Sequence, residues 1–446
     1  VACQSSLLTS SPTPDSSPLP FTQTDSPVPS TPTPLIPPTS TVIPSPSVTI
    51  QASHHPPAFL FPDAEVVYSP TALDFDTTSF LEKNQSFLSS YQQYLMITGW
   101  TPAADVISRV AIENSINPRL LLALLEYQSG CVFNTPANPE DFHTAMGAKN
   151  QLRKDLYGQL VWAAHLLSEG FYGWRDGTLE TFSLIDGSKY SPAKDINAGT
   201  VALQYFFANF YKREAWEDAL DPQQGFLNLY NDMFGDPWER SENYKELVPE
   251  DLKQPPLSLP FEPGKTWSFT GGPHQAFEGN GPWAALDFAP PLDEVGCFSS
   301  PEWVVAMANG LVVRSELGVV IQDLDGDGHE QSGWVLMYLH IAEENRVPVG
   351  TYLKRGERVG HPSCEGGRST GTHLHIARKY NGVWITAYGS IPFILDNWTA
   401  HAGDAPYMGT LTQGSKTIIA NQSGSSASHI TYQAKPSESP SPVIEE

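Results

Sequence analysis

Thr372-His373-Leu374-His375 lies in an apolar, strand-like run. Side chains alternate across a strand, so His373 and His375 point to the same face, about 7 Å apart. One such imidazole can ligate a metal while the other serves the water bound to it. Upstream, His340 closes the run Met337-Tyr338-Leu339, and His274 follows Gly272-Pro273 ahead of the strand-like Ala285-Leu286-Asp287-Phe288. Two histidines and an aspartate make a good catalytic zinc set, because three protein ligands leave one position open for water. Zinc lowers the pKa of bound water from about 15.7 to roughly 7 and polarises a carbonyl. No Glu stands beside a ligand as a base, so the remaining histidines are left to move protons or to stabilise an oxyanion.

Two other patterns fail. His329-Glu330 would open a zincin motif only with a histidine at position 333, which is Gly333. Asp323, Asp325, Asp327 and Gly328 open like a calcium loop. The twelfth position is Trp334 instead of a bidentate carboxylate, and the flanks are strand-like, so a polar hairpin turn is expected. His329 and His361 have no assigned partner and read as structural or surface residues.

The elements that must position these groups change character along the chain. From about 265 to 410, runs such as WVVAMANGLVVRSE, LGVVIQDLDGDG, SGWVLMYLHI and GTHLHIARKYNGVWI cluster β-branched and aromatic residues between Gly-Asn and Gly-Asp turns. This region is expected to be an antiparallel β domain. From 59 to 254 the period is helical. Leu120, Leu121, Leu124 and Leu125 follow the helix start Asn117-Pro118, and Trp162, Leu166, Val201 and Phe206 continue the pattern. The prolines of 255–264 mark a linker. Residues 1–58 are Ser/Thr/Pro-rich and read as an extended stalk, and the Ser-rich tail 411–446 reads as flexible.

The chain has 446 residues, enough for more than one core, with 40% hydrophobic and 11% aromatic residues. Its formal charge is −24, which argues against nucleic acid as a partner. No apolar run is long enough to cross a bilayer as a helix.

In order along the chain, GGPH…ALDFAPP, AxxxGLVV, MYLHI, VPVGTYLKRGERVG and STGTHLHI resemble the lysostaphin-type (LytM) zinc endopeptidases, over roughly residues 265–385. The resemblance implies His274, Asp287 and His375 as ligands of Zn2+, with His340 and His373 as the non-ligating pair beside the zinc-bound water. One departure stands out. The family usually has its first His and Asp four apart, whereas here QAFEGNGPWAAL intervenes, so an inserted loop is expected to return His274 to the same place. Cys297 and Cys364 both lie inside the peptidase-like region, and their pairing is the expected disulfide, with Cys131 left as a packed thiol.

SINPRLLLALLEYQSG (115–130) and DINAGTVALQYFFANF (195–210) resemble lysozyme-like lytic transglycosylases, whose general acid is a Glu directly before the Ser; here Gln128 precedes Ser129. Glu126 is turned about 200° away on a helix, so a glycan-binding remnant or a helical scaffold is expected instead. Val1-Ala2-Cys3 before the Ser/Thr/Pro tract resembles the end of a bacterial lipoprotein signal peptide, which implies a lipid on Cys3 and an extracytoplasmic, envelope location. Membrane attachment is expected only through that lipid.

The expected fold is multidomain α and β: an all-α lysozyme-like domain, then an antiparallel β zinc peptidase domain. The expected function is zinc-dependent hydrolysis of peptide bonds in peptidoglycan cross-bridges or stem peptides. The alternative is a non-catalytic peptidoglycan-binding or hydrolase-activating protein, which typically loses metal ligands; here every position is filled.

Overall fold

Asn117 and Pro118 begin a helix as their types demand. The Asn117 side chain accepts from the Arg119 amide, Pro118 occupies the first turn, and Gly130 ends the helix in the left-handed conformation. The computed structural model describes residues 59–135, 139–149, 153–277, 279, 281–291 and 296–433. Cys3, the stalk 1–58 and residues 434–446 lie outside them. In chain order the helices are α1 Thr77–Lys83, α2 Ala103–Asn114, α3 Pro118–Ser129, α4 Leu156–Arg175, α5 Ala198–Ala208, α6 Arg213–Ala219, α7 Phe226–Phe234 and α8 Pro237–Arg240. Leu120, Leu121, Leu124 and Leu125 are all buried, and α3 packs with α2, α4 and α7 around them. Among the described residues no helix is long and apolar enough to cross a membrane.

This part is not all-α, which corrects the expectation. Two short hairpins interrupt it: β1 Gln92–Leu95 with β2 Gly99–Pro102, and β3 Phe182–Ser183 with β4 Lys189–Tyr190. Tyr94 and Trp100 face each other across the first, and Phe182 and Tyr190 across the second. Cross-strand aromatic pairs favour a hairpin where a helical reading of the same short run is equally open.

The β-rich part is antiparallel throughout its paired strands. Its strands are β5 Thr266–His274, β6 Ala285–Ala289, β7 Val304–Val305, β8 Gly310–Glu316, β9 Val319–Asp323, β10 Trp334–Leu339, β11 Tyr352–Leu353, β12 Arg358–Gly360, β13 Leu374–Tyr380, β14 Val383–Trp384, β15 Ile394–Leu395, β16 Trp398–Ala402, β17 Gly409–Gln413, β18 Lys416–Ile419 and β19 His429–Thr431. The main sheet runs β11-β8-β9-β10-β13-β6-β5-β19, with β14 paired to β13, and β15 to β18 form a second sheet. Alternation divides the main sheet's residues between two cores. Leu374 and Ile376 of β13 join Leu286, Phe288, Phe261, Phe393 and Leu411 on one face. Ala377, Ala285, Ile321 and Met337 join the core of the helical part on the other. The described residues accordingly fall within one compact unit. Polar bonds stitch the two parts: Ser115 Oγ donates to the Gly382 carbonyl at 2.6 Å, and the Tyr172 hydroxyl accepts from the Trp384 amide at 3.1 Å.

The segment 255–264 differs from the expected linker. Leu257, Leu259 and Phe261 are buried in the second core, and the Phe261 ring stacks on Trp267 at 4.9 Å. These apolar residues alternate, so a strand-like segment buries all of them despite the prolines between. The tail also differs through residue 433. β17 and β18 belong to the second sheet, and β19 closes the main sheet beside β5 with Ile430 fully buried. Ser-rich composition hides these short β runs.

Cys297 and Cys364 form a disulfide with a Cα–Cα distance of 5.5 Å, and Cys131 is buried. Asp323, Asp325 and Asp327 shape the connection from β9 to β10. The buried Asp323 carboxylate accepts from the Asp325, Gly326 and Gly328 amides, as a polar turn requires.

Candidate metal centre

β13 and β6 set the first two groups side by side. Their register pairs His375 with Asp287, and His375 Nδ1 lies 3.1 Å from Asp287 Oδ1. β5 returns alongside β6 with irregular register, pairing Gly271 with Asp287 and His274 with Ala285. The connection between the two strands therefore folds back, and His274 Nε2 reaches within 3.3 Å of Asp287 Oδ1 and 3.1 Å of His375 Nδ1. The close packing has a sequence cause. A Cβ at Gly271 would fall 2.5 Å from Asp287 Oδ2, so only glycine leaves room for the carboxylate.

His340 and His373 complete the cluster. His340 follows β10 at a left-handed φ of +68°, an unfavourable backbone state for a histidine, and stands 4.5 Å from the His373 ring, centroid to centroid. His373 Nε2 lies 3.8 Å from Asp287 Oδ1. The structure thus brings together His274, Asp287, His340, His373 and His375. His329 and His361 are not among them; His361 Nδ1 bonds the Glu302 carbonyl and its ring packs on Trp303.

Each of the four imidazoles has one nitrogen facing a backbone carbonyl: His274 Nδ1 faces Gly272, His375 Nε2 faces Ala276, His340 Nδ1 faces Glu365 and His373 Nδ1 faces Gly371, at 2.8 to 3.0 Å. A carbonyl only accepts, so that nitrogen carries the proton and the other presents a lone pair. His274 Nε2, His375 Nδ1 and Asp287 Oδ1 then converge as three acceptors. Asp287 Oδ1 is buried and has no hydrogen-bond donor. Their mutual separations of 3.1 to 3.3 Å match the spacing of about 3.3 Å expected between ligands of a tetrahedral zinc with bonds of roughly 2.0 Å. The donor set fits a divalent cation.

The electrostatics agree with that fit. Burial alone would raise the Asp287 pKa, but His274, His373 and His375 hold it well below the usual carboxylate range. Burial lowers His375, and the His274 ring adds to that. Burial and then His373 and His375 push His340 down to about 3. Burial disfavours charge on His274, yet the Asp287 carboxylate and the Gly272 carbonyl outweigh it and raise its pKa. A proton on His274 would occupy the place between it and Asp287 that a cation would take, so the two compete.

Sequence reasoning missed Tyr407. Its ring stacks on His274, 4.1 Å between centroids and 22° between planes, and its carbonyl accepts from the Gly272 amide. It lies on the β16–β17 connection, far along the chain, and the local string Ala405-Pro406-Tyr407 signals only a turn. Gly271 and the carbonyls of Glu365 and Gly371 were also not legible as site components.

Residues 59–249 match the family model described as LasA, N-terminal domain. Protease LasA of Pseudomonas aeruginosa (strain UCBPP-PA14) is 23% identical over 344 residues, covering 74% of this chain and 75% of the relative. Over about three quarters of both chains the sequence is thus similar to Protease LasA. The beta-lytic metalloendopeptidase of Lysobacter enzymogenes is 25% identical over 135 residues, covering 30% of this chain and 74% of that protein. Among solved structures, the M23 metalloprotease pseudoalterin from deep-sea is similar with a TM-score of 0.32 and 21% identity, over 38% of this chain and 96% of its own. The helical part matches the LasA N-terminal domain, and a lysozyme-like reading of it rests on its two motifs alone.

Proposed function

We propose that this chain is a zinc-dependent endopeptidase that cleaves peptide bonds of peptidoglycan cross-bridges or stem peptides outside the cytoplasm, at the cell envelope. The observation that carries the reading is the convergence of three acceptor atoms, His274 Nε2, Asp287 Oδ1 and His375 Nδ1, beside two further histidines. Homology to a protease and to a metalloendopeptidase supports the reaction class. The disulfide suits an oxidising compartment.

In this reading His274, Asp287 and His375 hold zinc, and when bound it supplies a Lewis acid and a water of lowered pKa. The chain's own part is positioning and proton transfer. The Gly272 and Ala276 carbonyls fix the tautomers of His274 and His375, so their lone pairs stay aimed inward. His340 and His373 each keep Nδ1 on a backbone carbonyl and leave Nε2 to take a proton from the attacking water and return it to the departing amine. The Tyr407 ring against His274 limits that ligand's rotation.

The test combines metal analysis with digestion of purified peptidoglycan, products read by mass spectrometry. New amino termini with stoichiometric zinc are expected, and His375→Ala should lose both. Retention of full hydrolysis in that variant would sink the proposal, and absence of products from a zinc-loaded wild type would point to a binding role.

A further inference from the structure

The β1–β2 hairpin turns four of its five large apolar side chains outward and packs only Leu95 inward. Tyr94, Met96, Ile97 and Trp100 are 60%, 94%, 61% and 70% exposed, while Gln93 and Thr101 face inward and are buried. Gln93 Oε1 accepts from the Tyr157 amide, and Thr101 Oγ1 bonds Thr98 Oγ1. A hairpin with one solvated face ordinarily does the reverse, hydrophobic in and polar out. Water opposes the outward set, and the fold gains almost no burial from Met96. The inversion points to a contact outside the chain. No charged residue occurs from Asn84 to Ala104, in a chain with 25 Lys and Arg and 49 Asp and Glu.

We propose that this hairpin is a membrane-interface anchor, its tip residues Met96 and Ile97 entering the outer acyl region of a zwitterionic bilayer and Tyr94 and Trp100 resting among the headgroups. The side-chain order along the hairpin supports this. The aliphatic residues form the turn, and the paired aromatics stand one step behind it with a hydroxyl and an indole N–H to offer the wetter layer. The uncharged segment carries no desolvation cost of ions into that layer. With a net charge of −24 the chain is repelled by anionic lipid, so neutral headgroups are the partner. A sugar chain fits less well. The Tyr94 and Trp100 rings meet at 75° and offer no shared flat platform, and the segment has no carboxylate or guanidinium to bind sugar hydroxyls.

Cosedimentation of the full chain with phosphatidylcholine vesicles tests the proposal. The wild type should bind, and a Met96→Asp/Ile97→Asp variant should bind at least about tenfold more weakly, about 1.4 kcal/mol. Both positions are exposed, so circular dichroism should show an unchanged fold; Tyr94→Ser/Trp100→Ser gives a second, uncharged variant with the same expected loss. Vesicles of phosphatidylserine at low salt should bind less than phosphatidylcholine. A wild type that stays in the supernatant overturns the proposal, as does equal binding by both variants. Two further outcomes overturn it: loss in the variants of binding to purified peptidoglycan with no vesicle binding, and loss of self-association in its place.

Discussion

His375 on β13 lies directly opposite Asp287 on β6, and the 3.1 Å between Nδ1 and Oδ1 is set by the register of two neighbouring strands. A one-residue slip of β13 would turn His375 to the opposite face, into the core of Leu286, Phe288 and Phe261. The site is therefore as rigid as the sheet that carries it.

Asp287→Asn keeps the shape but removes the charged acceptor. Metal content measured by inductively coupled plasma mass spectrometry should fall, and hydrolysis should drop about a thousandfold, matching several kcal/mol of metal-derived stabilisation. A variant that keeps full metal and full rate would contradict the ligand assignment.

Gly271→Ala tests the same carboxylate without touching a ligand. The added Cβ would meet Asp287 Oδ2 at 2.5 Å, and the crowding atoms belong to a buried side chain. Metal affinity should weaken while secondary structure by circular dichroism is unchanged; unaltered affinity would mean that Asp287 tolerates displacement.

His340→Gln and His373→Gln should each lower kcat by roughly 10²–10⁴ with metal retained. The pH profile of the surviving rate should also lose a limb, a change that altered packing alone would not produce. Loss of metal in either variant would place that residue among the ligands instead.

The disulfide joins the two segments that hold His340 and His373 in place. Cys364 precedes Glu365, whose carbonyl holds His340 Nδ1 at 2.8 Å; Thr372, beside His373, donates to the carbonyl of Gly296, next to Cys297. Cys297→Ser/Cys364→Ser opens a link across 67 residues and should lower stability by about 4 kcal/mol. Well below the melting temperature kcat should still fall, with KM and zinc content little changed. A purely structural disulfide would shift Tm and leave kcat alone.

Glu330 predicts an acid limit to stability. Arg314 grips its carboxylate at 2.9 and 3.1 Å, and Lys379 Nζ stands at 3.1 Å. Burial would raise its pKa, but Arg314 and Lys379 lower it from 4.5 to about 2. The folded state thus holds fewer protons on Glu330 than the unfolded chain, so its contribution is complete above pH 4.5 and is lost as pH falls toward 2. The loss is about 3 kcal/mol as an order of magnitude. Denaturant unfolding at pH 5 and pH 2.5 should show a shallower pH slope for Glu330→Gln, whatever its absolute stability. An identical slope would remove Glu330 from the account.

Much of this protein was legible locally. The period-2 run around Thr372 placed His373 and His375 on one face because alternation depends only on adjacent backbone dihedrals. Asn117-Pro118 and Gly130 bounded α3 because capping is likewise local. The same logic read Asp323 to Gly328 as a turn. The β1–β2 and β3–β4 hairpins escaped because short runs satisfy either period until cross-strand partners decide.

What the sequence by itself determined was the chemistry on offer: His274, Asp287, His340, His373 and His375, their strand contexts, and the pair Cys297 and Cys364. Only the tertiary structure decided which atoms meet. The gap between His274 and Asp287 closes because β5 pairs with β6, His340 turns inward at φ +68°, and Tyr407 arrives from the β16–β17 connection. It also decided that 255–264 and the chain beyond Leu411 belong to the core and sheets. Register and sheet order depend on contacts between distant segments, whose loop-closure entropy and packing gain are not written in any local period.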